Sequence, residues 1–230
     1  MNWARWERFA PLTGALAVVL WVIGIWLVNG PGNLPGSDDT PDKILAAFTD
    51  HSRAIQLGAW LVIVGALAFL WFVGSLRSAV FVAEGGTGRV ASIVTFGGVA
   101  TGIFVLLLHA PSFAAAQVTK HLTPQAAQAL LVADDVFFYA AQYAIVVLFL
   151  ASAVAVFRWR VFPIWLGWVS LVFGIAALIP RLGWAILIFG FPIWTLIASW
   201  LLYARPVAAS GPPGQPPGPP PHTEQFVGTE

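Results

Sequence analysis

There is no cysteine in the 230 residues, and that absence removes disulfides, thiol nucleophiles, thiolate metal sites and covalently attached c-type haem together. Charge is almost as scarce. Charged residues make up 9% of the chain, against about 25% in a soluble domain that must cover its surface, so a water-facing globule is excluded. The 11 basic and 10 acidic residues nearly cancel to a formal net charge of +1, which leaves no electrostatic footprint for nucleic acid. Any chemistry must use oxygen or imidazole groups. What fills the chain instead is apolar: 59% of residues are hydrophobic, including 12 Trp and 17 Phe. This composition fits a bilayer protein whose indole rings anchor at the headgroups.

A hydrocarbon layer about 30 Å thick needs roughly 20 apolar residues at about 1.5 Å rise each, because every backbone polar group must be satisfied inside its own helix. Six stretches meet or approach that length: 12–28, 55–76, 90–109, 136–157, 162–179 and 182–203. None contains Lys, Arg, Asp or Glu. The fifth is short, and only Pro180 and Arg181 separate it from the sixth. The expected fold is an all-α, polytopic bundle of six transmembrane helices over residues 1–205. Arg5 and Arg8 precede the first run as they would in a secretory signal, but the run ends in Val28-Asn29-Gly30-Pro31 without a small-residue cleavage site, so the first helix is read as uncleaved.

Orientation follows the basic residues of the short loops. With both termini inside, the inner segments hold Arg5, Arg8, Arg77, Arg89, Arg158, Arg160 and Arg205, and the outer ones Lys43, Arg53, Lys120 and Arg181. In the first outer loop, Thr40-Pro41 starts a short helix with Ile44, Leu45 and Phe48 at amphipathic spacing, expected to lie on the outer membrane surface. Thr123-Pro124 repeats the device and should start a helix that continues into the fourth span and projects above the bilayer. Residues 206–230 form a Pro-rich tail expected to be a disordered cytoplasmic terminus.

No ionisable residue falls in mid-span, where holding one costs several kcal/mol. This argues against a carrier with a central carboxylate, a voltage sensor and an intramembrane protease. Of the four histidines, His51, His109, His121 and His222, only His109 belongs to a span, so the facing pairs that b-type haem needs are missing. The sequence implies no cofactor, no metal and no catalytic set.

What remains is a group of polar residues at the outer ends of the spans: His109, Asp134, Asp135, Tyr139, Gln142 and Arg181. Asp135, Tyr139 and Gln142 fall at i, i+4 and i+7 and share about 60° of helix arc, with Gln142 about 10 Å deeper than Asp135. The functional reading is an outward pocket with Asp135 and His109 as acid and base and Arg181 as an anion holder or counter-charge. The structural reading is that charged residues end spans and Gln142 bonds between helices. Gly98 and Gly102 give the third span a small-residue face for close helix packing, within the chain or in a homodimer.

Arg5 and Arg8 before Pro11-Leu12-Thr13-Gly14, the Thr40-Pro41-Asp42 loop, Arg53-Ala54-Ile55-Gln56-Leu57-Gly58 opening the second span, and the fourth span after Asp134-Asp135 together resemble bacterial six-helix membrane proteins classed as a domain of unknown function. The resemblance implies a bacterial plasma (inner) membrane and supplies no catalytic residues. The functional expectation is a non-enzymatic accessory or interacting membrane subunit, whose partners are the lipid bilayer and a membrane protein or a second copy. The alternative is a carrier or enzyme for a small molecule or lipid, using the polar site at the outer ends of helices 2 to 6.

Overall fold

The computed structural model describes residues 8–30 and 34–205. Arg5 and the Pro-rich tail lie outside the described residues. Those described are helical with short connections: α1 (Thr13–Asn29), α2 (Pro41–Asp50), α3 (Ser52–Ala83), α4 (Arg89–Leu107), α5 (Ala110–Gln117), α6 (Pro124–Trp159), α7 (Ile164–Ala176), α8 (Pro180–Ala185) and α9 (Phe191–Tyr203). A 3-10 turn, Ala10–Leu12, leads into α1, and a π-helical turn, Ile186–Gly190, joins α8 to α9.

Five helical stretches are long and apolar enough to cross a membrane: Ala10–Asn29, Ser52–Ala83, Arg89–Gln117, Pro124–Trp159 and Pro180–Tyr203. The sixth expected span is shorter than its 162–179 window. Pro163 is the N-cap of α7 and Pro180 opens α8, so α7 has 13 residues, about 20 Å at about 1.5 Å per residue. Prolines at both borders set that limit, because neither can donate into a continuing helix.

Around the bundle α1 packs on α3, α3 on α4, α4 on α6, α6 on α7, and α9 returns to α1 and the turn before it. Both described ends of the chain therefore lie together: Phe9 and Tyr203 stack at 6.0 Å, and the Arg8 guanidinium lies 5.7 Å over the Tyr203 ring. The centre is aromatic. Trp21 and Phe69 stand 5.4 Å apart, Phe69 meets Phe191 edge-on at 5.2 Å, and Phe149 meets Trp194 at 5.4 Å. The Trp194 indole donates to the Ser170 hydroxyl at 2.8 Å, so this large ring is buried without leaving its N–H unpaired.

Small residues let the backbones approach. A Cβ at Gly98 would stand 2.7 Å from both Val73 methyls, and one at Gly102 would stand 2.6 Å from the Leu70 side chain. These glycines face α3 of the same chain. On the other side of α4, a Cβ at Gly97 would lie 2.6 Å from the Leu148 backbone nitrogen of α6.

The bundle has two unlike ends. One carries Arg8, Arg77, Arg89, Arg158, Arg160 and Arg205. The other is capped by α2 and α5, which close over the starts of α3 and α6. Ile44 and Phe48 of α2 are fully buried with Ile55, Ala115, Ala127 and Leu131. Pro41–Asp50 forms the expected short amphipathic helix, and its apolar side docks on protein. The length of α6 makes room for this: its 36 residues run about 54 Å, more than hydrocarbon thickness, and Ala127 and Leu131 toward its start offer the apolar wall.

Candidate functional site

The capped end holds a cluster of three buried polar side chains, His109, Ser112 and Asp134. α4 stops at Leu107; His109, at φ −118° and ψ 17°, leaves helical geometry, and Pro111 sits in the first turn of the new helix α5. A helix start has backbone N–H groups without partners, and the side chain of His109 does not cap them. Asp134, one turn past Leu130 on α6, does so from a different helix. Its Oδ1 accepts from the Ser112 backbone N–H at 3.3 Å, and its Oδ2 accepts from the Ser112 hydroxyl. The His109 Nδ1 is 3.6 Å from Oδ2, beyond hydrogen-bonding distance but close enough to form an ion pair when the imidazole carries a proton. Asp134 is 6% exposed and His109 8%. A carboxylate this deep is stabilised by the positive end of α5 and by two donors from Ser112.

Carboxylate, imidazole and hydroxyl together resemble the parts of a nucleophilic set, but their connections differ. Activation of a serine requires its hydroxyl to donate to the imidazole. Here the Ser112 hydroxyl donates to Asp134 instead, which makes the arrangement a helix cap.

Gln142 is fully buried and acts eight residues further along α6. Its Nε2 donates to the Ala177 carbonyl at 3.0 Å, satisfying an orphan acceptor where α7 ends. A Cβ at Gly183 would collide with this amide and would stand 2.7 Å from the Ala177 oxygen, so the absence of a side chain at Gly183 is what admits the contact. Gln56 of α3 donates to the Ala116 carbonyl of α5 at 2.8 Å, and Gln128 donates to the carbonyls of Ser37 and Asp39 at 3.2 and 3.4 Å.

The expected set is thus brought together only in part. His109 and Asp134 meet, and Gln142 is buried in a separate contact. Asp135 is exposed, Tyr139 is 51% exposed and Arg181 is exposed. Among the described residues, no ion pair involves Asp135 or Arg181. The expected pairing of Asp135 with His109 or Arg181 is corrected to the neighbouring carboxylate, Asp134. The physical reason is that α5 packs against the Asp134 side of α6, and the Asp135 side is left exposed. Ser112 was not singled out in the sequence; the signal for it was Pro111, a first-turn proline two residues after His109.

At the arginine end a second buried carboxylate was also missed. Glu84, 7% exposed, follows α3 and accepts from the backbone N–H groups of Val90 at 2.7 Å and Ala91 at 2.9 Å. The loop between turns through Gly85, Gly86 and Gly88 at φ 72°, 88° and 74°, a left-handed backbone that glycine adopts without steric cost.

Comparison with known proteins found no matching family model, curated protein or solved structure.

Proposed function

We propose that the chain is a six-helix integral protein of the bacterial plasma membrane, with both termini in the cytoplasm, acting as a non-enzymatic accessory or interacting subunit. The observation that carries this reading is the use made of the buried polar groups at the capped end. Asp134 caps α5, Gln142 closes the end of α7 and Gln56 ties α3 to α5. Each joins two helical elements. The cytoplasmic assignment is supported by the six arginines at the end where the described chain begins and stops, following the positive-inside tendency. The resemblance to bacterial six-helix proteins of unknown function belongs to the same reading.

A second reading, a carrier or enzyme for a small molecule or lipid at the capped end, is favoured by one observation: the buried His109 Nδ1 has no hydrogen-bond partner. Asp134→Asn separates the two. On the first reading, cellular function falls in proportion to the amount of folded protein in the membrane. Loss of function at wild-type protein level and wild-type melting temperature establishes the second. For topology, a reporter active only in the cytoplasm should be active at Glu84 and after Arg205 and silent at Asp39; activity at Asp39 reverses the orientation.

A further inference from the structure

At the arginine end, an open cleft of about 660 Å³ lies between the α6–α7 turn and the end of α9. Its basic groups are Arg160 and Arg205; its apolar wall includes Phe162, Pro163, Ile164 and Leu201. The Arg205 guanidinium lies 5.2 Å over the Phe162 ring, a cation–π contact that holds a long side chain against the wall. Arg160 ends α6 in the left-handed region, at φ 56° and ψ 36°, a conformation that a non-glycine residue adopts only at a steric cost. Among the described residues the only carboxylate at this end is Glu84, already occupied by the Val90 and Ala91 amides, and neither cleft arginine has an acidic partner. Burial pushes the Arg205 guanidinium below its ordinary value, as expected of a partly desolvated cation without a counter-charge.

We propose that this cleft binds the phosphodiester headgroup of an anionic phospholipid, with Arg160 and Arg205 on the phosphate and an acyl chain along Ile164 and Leu201. Two guanidinium groups supply the planar donor forks that match phosphate oxygens. A free phosphate would share that charge chemistry, but it would gain nothing from the exposed Ile164 and the half-buried Leu201 beside it. Neighbouring Trp165 and Trp200 are exposed, and indoles concentrate at the headgroup depth of a bilayer. The proposal rests on the membrane reading and is independent of the accessory role.

Native mass spectrometry of the full chain in detergent tests it, with palmitoyl-oleoyl phosphatidylglycerol and phosphatidylcholine supplied in equal amounts. Retention of phosphatidylglycerol should exceed that of phosphatidylcholine by on the order of tenfold, given the attraction of each arginine for an anionic lipid. Arg205→Gln should bring the ratio close to parity. Arg160→Gly should do the same without lowering the melting temperature, since glycine adopts the left-handed conformation freely; this variant decides the question if Arg205→Gln fails to fold. Arg77→Gln, at the same end but outside the cleft, should leave the ratio unchanged. Equal retention of the two lipids by the wild type, or a preference that survives Arg160→Gly, overturns the proposal. Displacement of the lipid by millimolar inorganic phosphate also overturns it, in favour of a free-anion site. Resistance of the protein to alkaline extraction from membranes checks the membrane reading separately.

Discussion

Among the described residues, each end of the bundle buries one carboxylate against the start of a helix, and the two are held in different company. Glu84 reaches six and seven residues ahead to the first turn of α4, across a loop of its own making. Asp134 reaches back 22 residues to α5. The first cap is local and forms wherever the Gly85 to Gly88 turn forms. The second exists only when α5 is docked on α6, and α5 in turn supports α2 through Ala115 and Ala116. The same chemistry therefore fastens a turn at the arginine end and an assembled layer at the capped end. Among the described residues, only the capped end places a histidine beside its buried carboxylate, with Nδ1 3.6 Å from the carboxylate oxygen.

The sharpest way to break this comparison is Asp134→Ala. It leaves the Ser112 N–H and hydroxyl without their acceptor and His109 without its neighbour, so stability in detergent should fall by about 2–4 kcal/mol. Hydrogen exchange should show α5 and α2 opening before the rest of the bundle. Uniform protection across the chain would mean that the layer does not depend on Asp134. Next in size are Gly98→Leu and Gly102→Leu on α4, the helix that connects the two ends. Each drives a side chain into Val73 or Leu70 of α3, and a loss of about 1–3 kcal/mol in thermal or denaturant unfolding is expected. Unchanged stability would place this face in lipid. Glu84→Ala should cost less, about 1–2 kcal/mol, the value of a charge-assisted cap at a helix start. Since the two carboxylates sit at opposite ends, Glu84→Ala and Asp134→Ala should add to within about 0.5 kcal/mol; a larger coupling would show that the ends communicate through α4.

How much of this was legible in the sequence differs by element. The long apolar runs identified α1, α3, α4, α6 and the α8–α9 stretch, because hydrophobic length alone specifies a candidate span. Thr40-Pro41 and Thr123-Pro124 marked two helix starts correctly, since proline in the first turn needs no donor; at Thr123 the hydroxyl also accepts from the Ala126 amide at 3.3 Å. The choice between Asp134 and Asp135 was not legible. A helical wheel groups Asp135 with Tyr139 and Gln142, and that grouping follows from direction about the axis. It does not say which directions are covered at each height. On α6 the cover changes: α5 shields Asp134 near the start, and the α7 end shields Gln142 two turns later. The Glu84 cap was invisible for a related reason, since a glutamate in a polar loop looks solvated until the Gly-rich turn folds it back.

The smallest effect belongs to a third carboxylate, which sharpens the comparison because it lies at the capped end without being buried. Asp39 accepts from Lys43 Nζ at 2.7 Å and from the Gly36 backbone N–H at 3.2 Å. The Lys43 hydrogen bond, the largest of these influences, holds its carboxyl below the ordinary 3.8. A carboxyl whose folded value is depressed contributes stability above its unfolded value and loses it as the pH falls through the folded one. The contribution should therefore be complete above pH 3.8 and disappear only in more acidic solution. Both partners are solvated, so salt should weaken the pair and the bundle should hardly register its loss. An NMR titration of the Asp39 carboxyl carbon should give a midpoint below 3.8 that moves up in Lys43→Met, while Asp39→Asn leaves the melting temperature at neutral pH unchanged. A clear drop in that temperature would mean that the 34–40 segment, which Gln128 holds to α6 through the Ser37 and Asp39 carbonyls, is as necessary to the capped end as Asp134. The distinction between a buried cap and a solvated pair would then fail at the end where it is most clearly drawn.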